Sequence, residues 1–239
     1  MNKKIYDQIY PKVSVIVPCY NERERILPVL ESIKKSSYVE EIIVVDDSSE
    51  EKTIQLLRSL KNITLITLKE NKGKALALKI GVLNAHTDTV MFVDSDLKNL
   101  TPENIDQMVE AFFDGGYDMV IGEREREWIF ARYTGMATTL AGERIIKKQL
   151  LLDHMELFKA EGYLIESAIN KLFFKQKKVG RVLLYGVGQF WKEQKSGIGA
   201  VFLKDIPWMI RYIRFLGIKD FLGQLYFAKK LPFIPSSRK

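Results

Sequence analysis

The chain has 239 residues, of which 46% are hydrophobic and 28% charged, enough for one α/β domain with a full core and inconsistent with a disordered chain. Its formal net charge of +7 suits anionic partners such as nucleotides, phosphates or anionic lipid surfaces. A single cysteine, Cys19, excludes an internal disulfide framework and a cysteine zinc cluster, and is read as buried structure in a reducing compartment. Met1 to Pro11 is polar, so no signal peptide is expected, and no run is apolar enough to span a bilayer.

The first half alternates regularly. Val13–Val17 reads as a buried strand, Arg23–Lys35 as a helix with Ile26, Leu27, Leu30 and Ile33 on its apolar side, and Ile42–Val45 as a second strand. A helix over Glu51–Leu60, a strand over Ile63–Leu68, an Ala/Leu-rich helix over Lys74–Ala85 and a strand over Thr89–Val93 follow. Thr101-Pro102-Glu103 opens another helix with a hydroxyl cap, a proline at the first position and an acid in the first turn. Met119–Ile121 ends the series. Near-continuous apolar strands alternating with helices predict a mostly parallel sheet covered on both faces, which binds ligands at the C-terminal ends of its strands.

Beyond Gly122 the character changes. Glu123–Glu127 is a charge run, expected as an exposed loop, or as a lid whose arginines meet phosphate. Helices are expected over Leu140–Leu152 and Gly162–Lys175, a late strand over Val179–Val187, and two amphipathic helices over Asp205–Phe215 and Lys219–Lys230. The last two mix aromatics, aliphatics and cations at helical spacing, as a core-packing helix or a lipid-facing one would. A main domain over 1–200 is expected, with C-terminal helices over 201–239 that either belong to it or associate with a membrane through 204–230; the expected location is cytoplasmic, at the inner face of the membrane in the second case. His86 and His154 read as surface residues.

Four polar signatures end the predicted strands: Pro18-Cys-Tyr-Asn-Glu22, Asp46-Asp-Ser-Ser49, Asn71-Lys-Gly-Lys-Ala75 and Asp94-Ser-Asp96. The last is the most telling. Two carboxylates at the end of a buried strand repel each other and lose water, so a cation is expected between them, most simply a divalent metal completed by phosphate.

These loops, in this order and spacing, resemble the nucleotide-sugar-dependent glycosyltransferases of family 2, which have the GT-A fold. Gly142-Glu-Arg-Ile-Ile146, Gly162–Glu166 and Gly188–Gly197 extend the likeness, the last toward polyprenyl-phosphate sugar transferases; Asp94-Ser-Asp-Leu97 is similar to the glucosyl-3-phosphoglycerate synthases. The resemblance implies a UDP- or GDP-sugar donor, Mg2+ or Mn2+, and an acceptor such as polyprenyl phosphate or a polysaccharide precursor. It implies that Pro18, Tyr20 and Glu22 line the nucleoside, Asp47 accepts from the base, Lys74 nears base or phosphates, Asp94 and Ser95 face the ribose, and Asp96 with Asp94 holds the metal.

Dolichyl-phosphate mannose synthases carry a metal-binding glutamine where this chain has Lys98, which makes Gln189 the candidate third ligand. Glu143 or Glu166 is the candidate base for a hydroxyl acceptor. For a phosphate acceptor, at least one of Arg124, Arg126, Arg132 and Arg144 is expected at the acceptor or the diphosphate, and Asp96, Glu143 and Arg144 are the catalytic candidates. Competing readings are a phosphoglycerate-type sugar transferase, a nucleotidyltransferase, for which the Pro18–Glu22 loop is wrong, and a nucleic-acid-binding module, which leaves Asp94 and Asp96 unexplained. No nucleic-acid partner is expected.

Overall fold

The structure, a computed structural model, describes residues 10–125, 129–160, 164–189, 210 and 212–235. In chain order the elements are β1 (Val13–Cys19), α1 (Ile26–Lys35), β2 (Val39–Asp46), α2 (Glu51–Ser59), β3 (Thr64–Thr67), α3 (Lys74–Asn84), β4 (Thr89–Phe92), β5 (Leu97–Lys98) and α4 (Pro102–Gly115). They continue with β6 (Met119–Arg124), α5 (Ile129–Thr134), α6 (Met136–Leu140), β7 (Arg144–Lys147), α7 (Lys148–Leu152), α8 (Leu164–Gln176), β8 (Val179–Leu184) and β9 (Gly188–Gln189). The described part of α9 is 212–216, and α10 is Ile218–Lys230.

β3-β2-β1-β4-β7-β6-β8 form one seven-stranded sheet. Its strands run parallel except β7, which pairs antiparallel with both β4 and β6. The α/β expectation, a mostly parallel sheet between helices, therefore holds. One apolar core lies under α1 and α4, with Val15, Val17, Ile26, Leu30, Ile105 and Val109; the other lies under α3 and α8, with Ile16, Leu78, Ile146, Ile165 and Phe173. Strand alternation sorts the residues, so Ile16 and Val17 enter opposite cores. The C-terminal helices share the second core through Tyr212, Leu216, Phe221 and Ala228. They are thus packed on the main domain.

Two expectations are corrected. The stretch read as one helix over Leu140–Leu152 is helix, strand and helix in turn: α6 ends at Leu140, and Arg144–Lys147 enters the sheet. The slot between β4 and β6 rewards the β-branched Ile145 and Ile146, which are both fully buried, and this overrides local helical spacing. The charge run is not an exposed loop at its start. Glu123 and Arg124 end β6 and are buried, with Glu123 taking a hydrogen bond from Thr138 and a 2.9 Å contact from Arg181 Nη1. Arg126 and Glu127 lie outside the described residues, as do Gly162, residues 190–209 and the side chain of Arg132.

Because β7 is reversed, the residues that precede it arrive at the same rim of the sheet as the residues that follow β1, β2, β4 and β6. Gly142 and Glu143 are thereby brought beside Asp94 and Arg124.

Candidate active site

A cleft of about 270 Å3 opens at that rim, lined by Pro18, Cys19, Tyr20, Glu22, Asp47, Asn71, Gly73, Lys74, Ala77, Asp94, Ser95, Asp96 and Gln189. Every residue expected on the nucleotide side is therefore brought to one place. Cys19 forms part of the floor, and burial pushes its thiol up to about 12, as befits an inert side chain.

The loops are shaped by side chains that bond backbone. Asp47 accepts from the backbone N–H of Lys72 at 2.8 Å and of Gly73 at 2.7 Å, pinning the loop that opens α3. Gly73 caps that helix at φ 87°, a conformation that favours glycine, and Lys74 is its first residue. Asn21, at φ 57°, accepts from the backbone N–H of Glu50 at 2.7 Å, and its own N–H donates to Ser49 Oγ at 2.8 Å. The first and second strand-end loops are thus tied together beside exposed Tyr20.

Charge is concentrated below Asp94. Lys74 Nζ lies 2.5 Å from Asp94 Oδ1 and 2.8 Å from Glu166 Oε1. Arg124 Nη1 lies 3.9 Å from Asp94 Oδ2 and 3.7 Å from Glu143 Oε1. Burial alone would raise Asp94, but Lys74 and Arg124 outweigh it and hold the carboxyl below its usual range. Burial opposes the charge on Lys74, yet Asp94 and Glu166 raise its ammonium above its ordinary value. Gly142 makes room for the pair: a Cβ there would meet Asp94 Oδ2 at 2.5 Å and Oδ1 at 2.7 Å. The likeness to Gly142-Glu-Arg-Ile-Ile146 pointed at this segment without saying why its glycine matters.

Asp96 is different. It is held by a neutral amide: Gln189 Nε2 donates to Oδ1 at 2.9 Å and to Oδ2 at 3.0 Å. Burial and then the charge of Asp94 raise its carboxyl above the usual range. β5 pairs with β9, Leu97 opposite Gln189 and Lys98 opposite Gly188, and this short ribbon delivers Gln189. The Gln189 carbonyl oxygen accepts from Arg124 Nη1 at 3.0 Å. Rotating the amide would face two donors together and two acceptors together, so the network fixes its orientation. Gln189, expected as a third metal ligand, thus lies beside Asp96 with its oxygen bonded to Arg124.

Among the described residues no three His, Cys, Asp or Glu side chains cluster tightly enough to hold a metal by themselves. A cation here would have Asp96 and Asp94 and would need phosphate oxygens to complete its shell. The residues fit that arrangement, since the under-compensated charge of Asp96 faces the cleft beside the N-terminus of α3.

Glu143 and Arg144 are placed away from the cleft lining. Glu143 is fully buried with neither carboxyl oxygen hydrogen-bonded, and burial pushes its carboxyl up to about 7. Arg144 is also fully buried. It donates to the backbone of Ala141 at 2.8 Å and Thr139 at 3.2 Å, and to Asn170 Oδ1 at 2.6 Å, while burial lowers its guanidinium to about 10. Arg144, expected at the reacting anion, thus directs its donors to groups inside the fold. Of the candidate arginines, Arg124 is the one whose described side chain contacts cleft residues, Gln189 and Asp94, and its position at the end of β6 hid it in an apparent charge run.

The sequence profile described as "Glycosyl transferase family 2" matches residues 14–162. The chain belongs to glycosyltransferase family 2. Among the relatives of this family 2 chain is an undecaprenyl-phosphate 4-deoxy-4-formamido-L-arabinose transferase of Proteus mirabilis, 39% identical over 48% of this chain and 37% of the relative. Another is a dolichyl-phosphate beta-glucosyltransferase of Dictyostelium discoideum, 37% identical over 40% of this chain and 33% of the relative. The chain spans well under half the length of these curated relatives. In fold it is similar to a Mycobacterium tuberculosis glucosyl-3-phosphoglycerate synthase solved with Mn2+, UDP and phosphoglyceric acid, with a TM-score of 0.62 at 20% identity over 90% of this chain and 78% of that one. The family 2 chain thus has the GT-A fold that its strand-end loops implied.

Proposed function

We propose that this family 2 chain transfers a sugar from a UDP- or GDP-linked donor to a polyprenyl phosphate at a membrane surface. The observation that carries the reading is the cleft itself. Tyr20, Glu22 and Asp47, which suit a nucleoside, and the under-compensated Asp96, which suits a cation-bound diphosphate, line it together. The curated relatives named for undecaprenyl-phosphate and dolichyl-phosphate sugar transfer support the acceptor.

In the reaction an acceptor phosphate oxygen attacks the anomeric carbon, the bond from that carbon to the diphosphate breaks, and the nucleoside diphosphate leaves with the electron pair. Asp96 and Asp94 would hold Mg2+ or Mn2+, which when bound would supply Lewis-acid charge for that departure. Lys74, at the start of α3, holds Asp94 in place and adds positive charge where the leaving group gathers negative charge. A phosphate acceptor is already ionised, so neither Glu143 nor Glu166 has to remove a proton. Glu166 orients Lys74, and Glu143 balances Arg124.

Membrane contact is assigned to α10. Its residues Ile218, Leu222 and Tyr226, four apart, form an outward stripe, each more than half exposed, opposite the buried Phe221, Gln224 and Ala228. Lys230 Nζ lies 4.4 Å from the Tyr226 ring centroid, and Lys219 and Lys229 flank the stripe, so apolar anchors and cations share one face. No helix of the described residues is long and apolar enough to cross a membrane. Residues 204–209, expected to join this contact, lie outside the described residues.

The test is transfer from radiolabelled UDP- and GDP-sugars to a short polyprenyl phosphate in detergent with Mn2+. Label is expected in the lipid fraction with one nucleotide class. Absence of lipid label with every donor, or transfer that survives Asp96→Ala undiminished, would overturn the reading.

A further inference from the structure

Behind the cleft runs a buried polar chain that neither donor nor acceptor needs to touch. Gln224, on the inward face of α10, donates through Nε2 to the backbone oxygen of Ser167 at 3.0 Å, and its Oε1 accepts from Asn170 Nδ2 at 3.3 Å. The Tyr212 phenol of α9 is hydrogen-bonded to Ser167 Oγ. Asn170 also donates to the Thr139 carbonyl at 2.8 Å and accepts from Arg144 at 2.6 Å. Ser167, Asn170, Tyr212 and Gln224 are all buried.

A glutamine between Phe221 and Ala228 on a packing face is costly unless satisfied, and a leucine would pack there without that demand. Here both ends of the amide are bonded, and both bonds go to α8. The residue before Ser167 is Glu166, whose Oε1 receives Lys74 Nζ at 2.8 Å, and Lys74 in turn meets Asp94 Oδ1 at 2.5 Å. α10 also abuts the segment leading from β6: a Cβ at Gly135, between α5 and α6, would meet the Leu225 carbonyl oxygen at 2.8 Å.

We propose that α9 and α10 form a positioning element of the site, in which Gln224 and Tyr212 fix the first turns of α8 so that Glu166 holds Lys74 against Asp94. Gln224, Tyr212, Asn170 and Arg144 are positioning residues, acting through Glu166 and Lys74. The link to sugar transfer rests on the reading above; the link to Lys74 does not. The same helix carries the exposed stripe of Ile218, Leu222 and Tyr226, so a contact on that stripe is connected to the Lys74–Asp94 pair by a short run of bonded groups.

The experiment uses the full chain and the variants Tyr212→Phe, which removes one oxygen, and Gln224→Leu, with Leu225→Ala as a packing control, since Leu225 packs on the same core from α10 and Phe221 is unsuitable because its ring lies 5.7 Å from that of Tyr212. Each is treated with acetic anhydride under native conditions, and acetylation of Lys74 is followed by peptide mass spectrometry at temperatures matched for distance below each melting point. Labelling of Lys74 is expected to rise about tenfold in Tyr212→Phe and Gln224→Leu, and to stay near the wild-type rate in Leu225→Ala. Equal Lys74 labelling in all four proteins, or a rise in Leu225→Ala matching that of the other two, would overturn the proposal. If Gln224→Leu does not fold, Tyr212→Phe decides alone. In transfer assays the two variants are expected to raise the donor KM more than they lower kcat. Should the wild type use no nucleotide sugar, the transfer reading fails while the labelling result still stands.

Discussion

Gln189 bridges opposite charges: its amide nitrogen lies 2.9 Å from Asp96 Oδ1, and its carbonyl oxygen lies 3.0 Å from Arg124 Nη1. It therefore holds Asp96 without neutralising it, and a cation that binds Asp96 shares that carboxylate with an amide rather than with a lysine. Replacing Gln189 by leucine removes the competing donor. Titration of Mn2+ in the presence of UDP, followed by the loss of the free-ion electron-spin signal, is expected to give an affinity equal to or tighter than wild type. A glutamine oxygen in the coordination shell would instead make the variant weaker by about tenfold or more.

Lys74→Met leaves Asp94 and Glu166 buried without their ammonium. Removing one partner of a buried ion pair typically costs about 3 kcal/mol, and this loss is expected in urea denaturation at pH 7. In the variant Asp94 and Glu166 also repel each other, which adds to the deficit. In the wild type Asp94 carries a pH dependence of its own. Its folded-state pKa is depressed, so the stability it contributes is present above the usual carboxylate range and is lost on acidification through its lowered pKa.

Glu143→Gln tests the buried carboxyl with the opposite sign. The folded pKa is raised from 4.5 to about 7, so the favourable contribution of the protonated form is complete below pH 4.5 and is lost as the pH rises to about 7. Glutamine mimics the protonated acid and loses nothing. The variant should match wild type near pH 4 and exceed it at pH 8 by on the order of 2 kcal/mol, read as a shift in the urea midpoint. An equal midpoint difference at both pH values would show that Glu143 is not desolvated as described.

Gly142→Ala places a methyl group where the Asp94 carboxylate sits, 2.5 Å from Oδ2. Asp94 is short and tethered to Lys74, so it must turn away. UDP affinity is expected to fall about tenfold while the melting temperature changes by only a few degrees. Loss of folding together with loss of binding would make Gly142 a packing residue instead.

Much of this was legible in the residues. The alternation of apolar strands with helices, the Thr101-Pro102 start of α4 and the four strand-end loops all followed from local chemistry, and the loops met as expected at one rim of the sheet. What was not legible came from pairing between distant segments. Arg144–Lys147 joins the sheet only because β4 and β6 leave a slot between them, and its reversal brings Gly142 and Glu143 to the rim. Arg124 looked like part of a solvated charge run, since the parallel partner that buries it, Leu184 on β8, is 60 residues further on. Arg144 donates to Asn170 and the Thr139 carbonyl, and no local pattern announces these partners.

Calorimetry of UDP binding, with and without Mn2+, on wild type and Asp96→Asn tests the central claim most directly. The account predicts that UDP binds wild type only weakly without Mn2+, about tenfold or more tightly with it, and that Asp96→Asn loses the Mn2+-dependent gain while retaining the weak binding. Equal affinity for UDP with and without Mn2+, or an Asp96→Asn variant that responds to Mn2+ as wild type does, would contradict it.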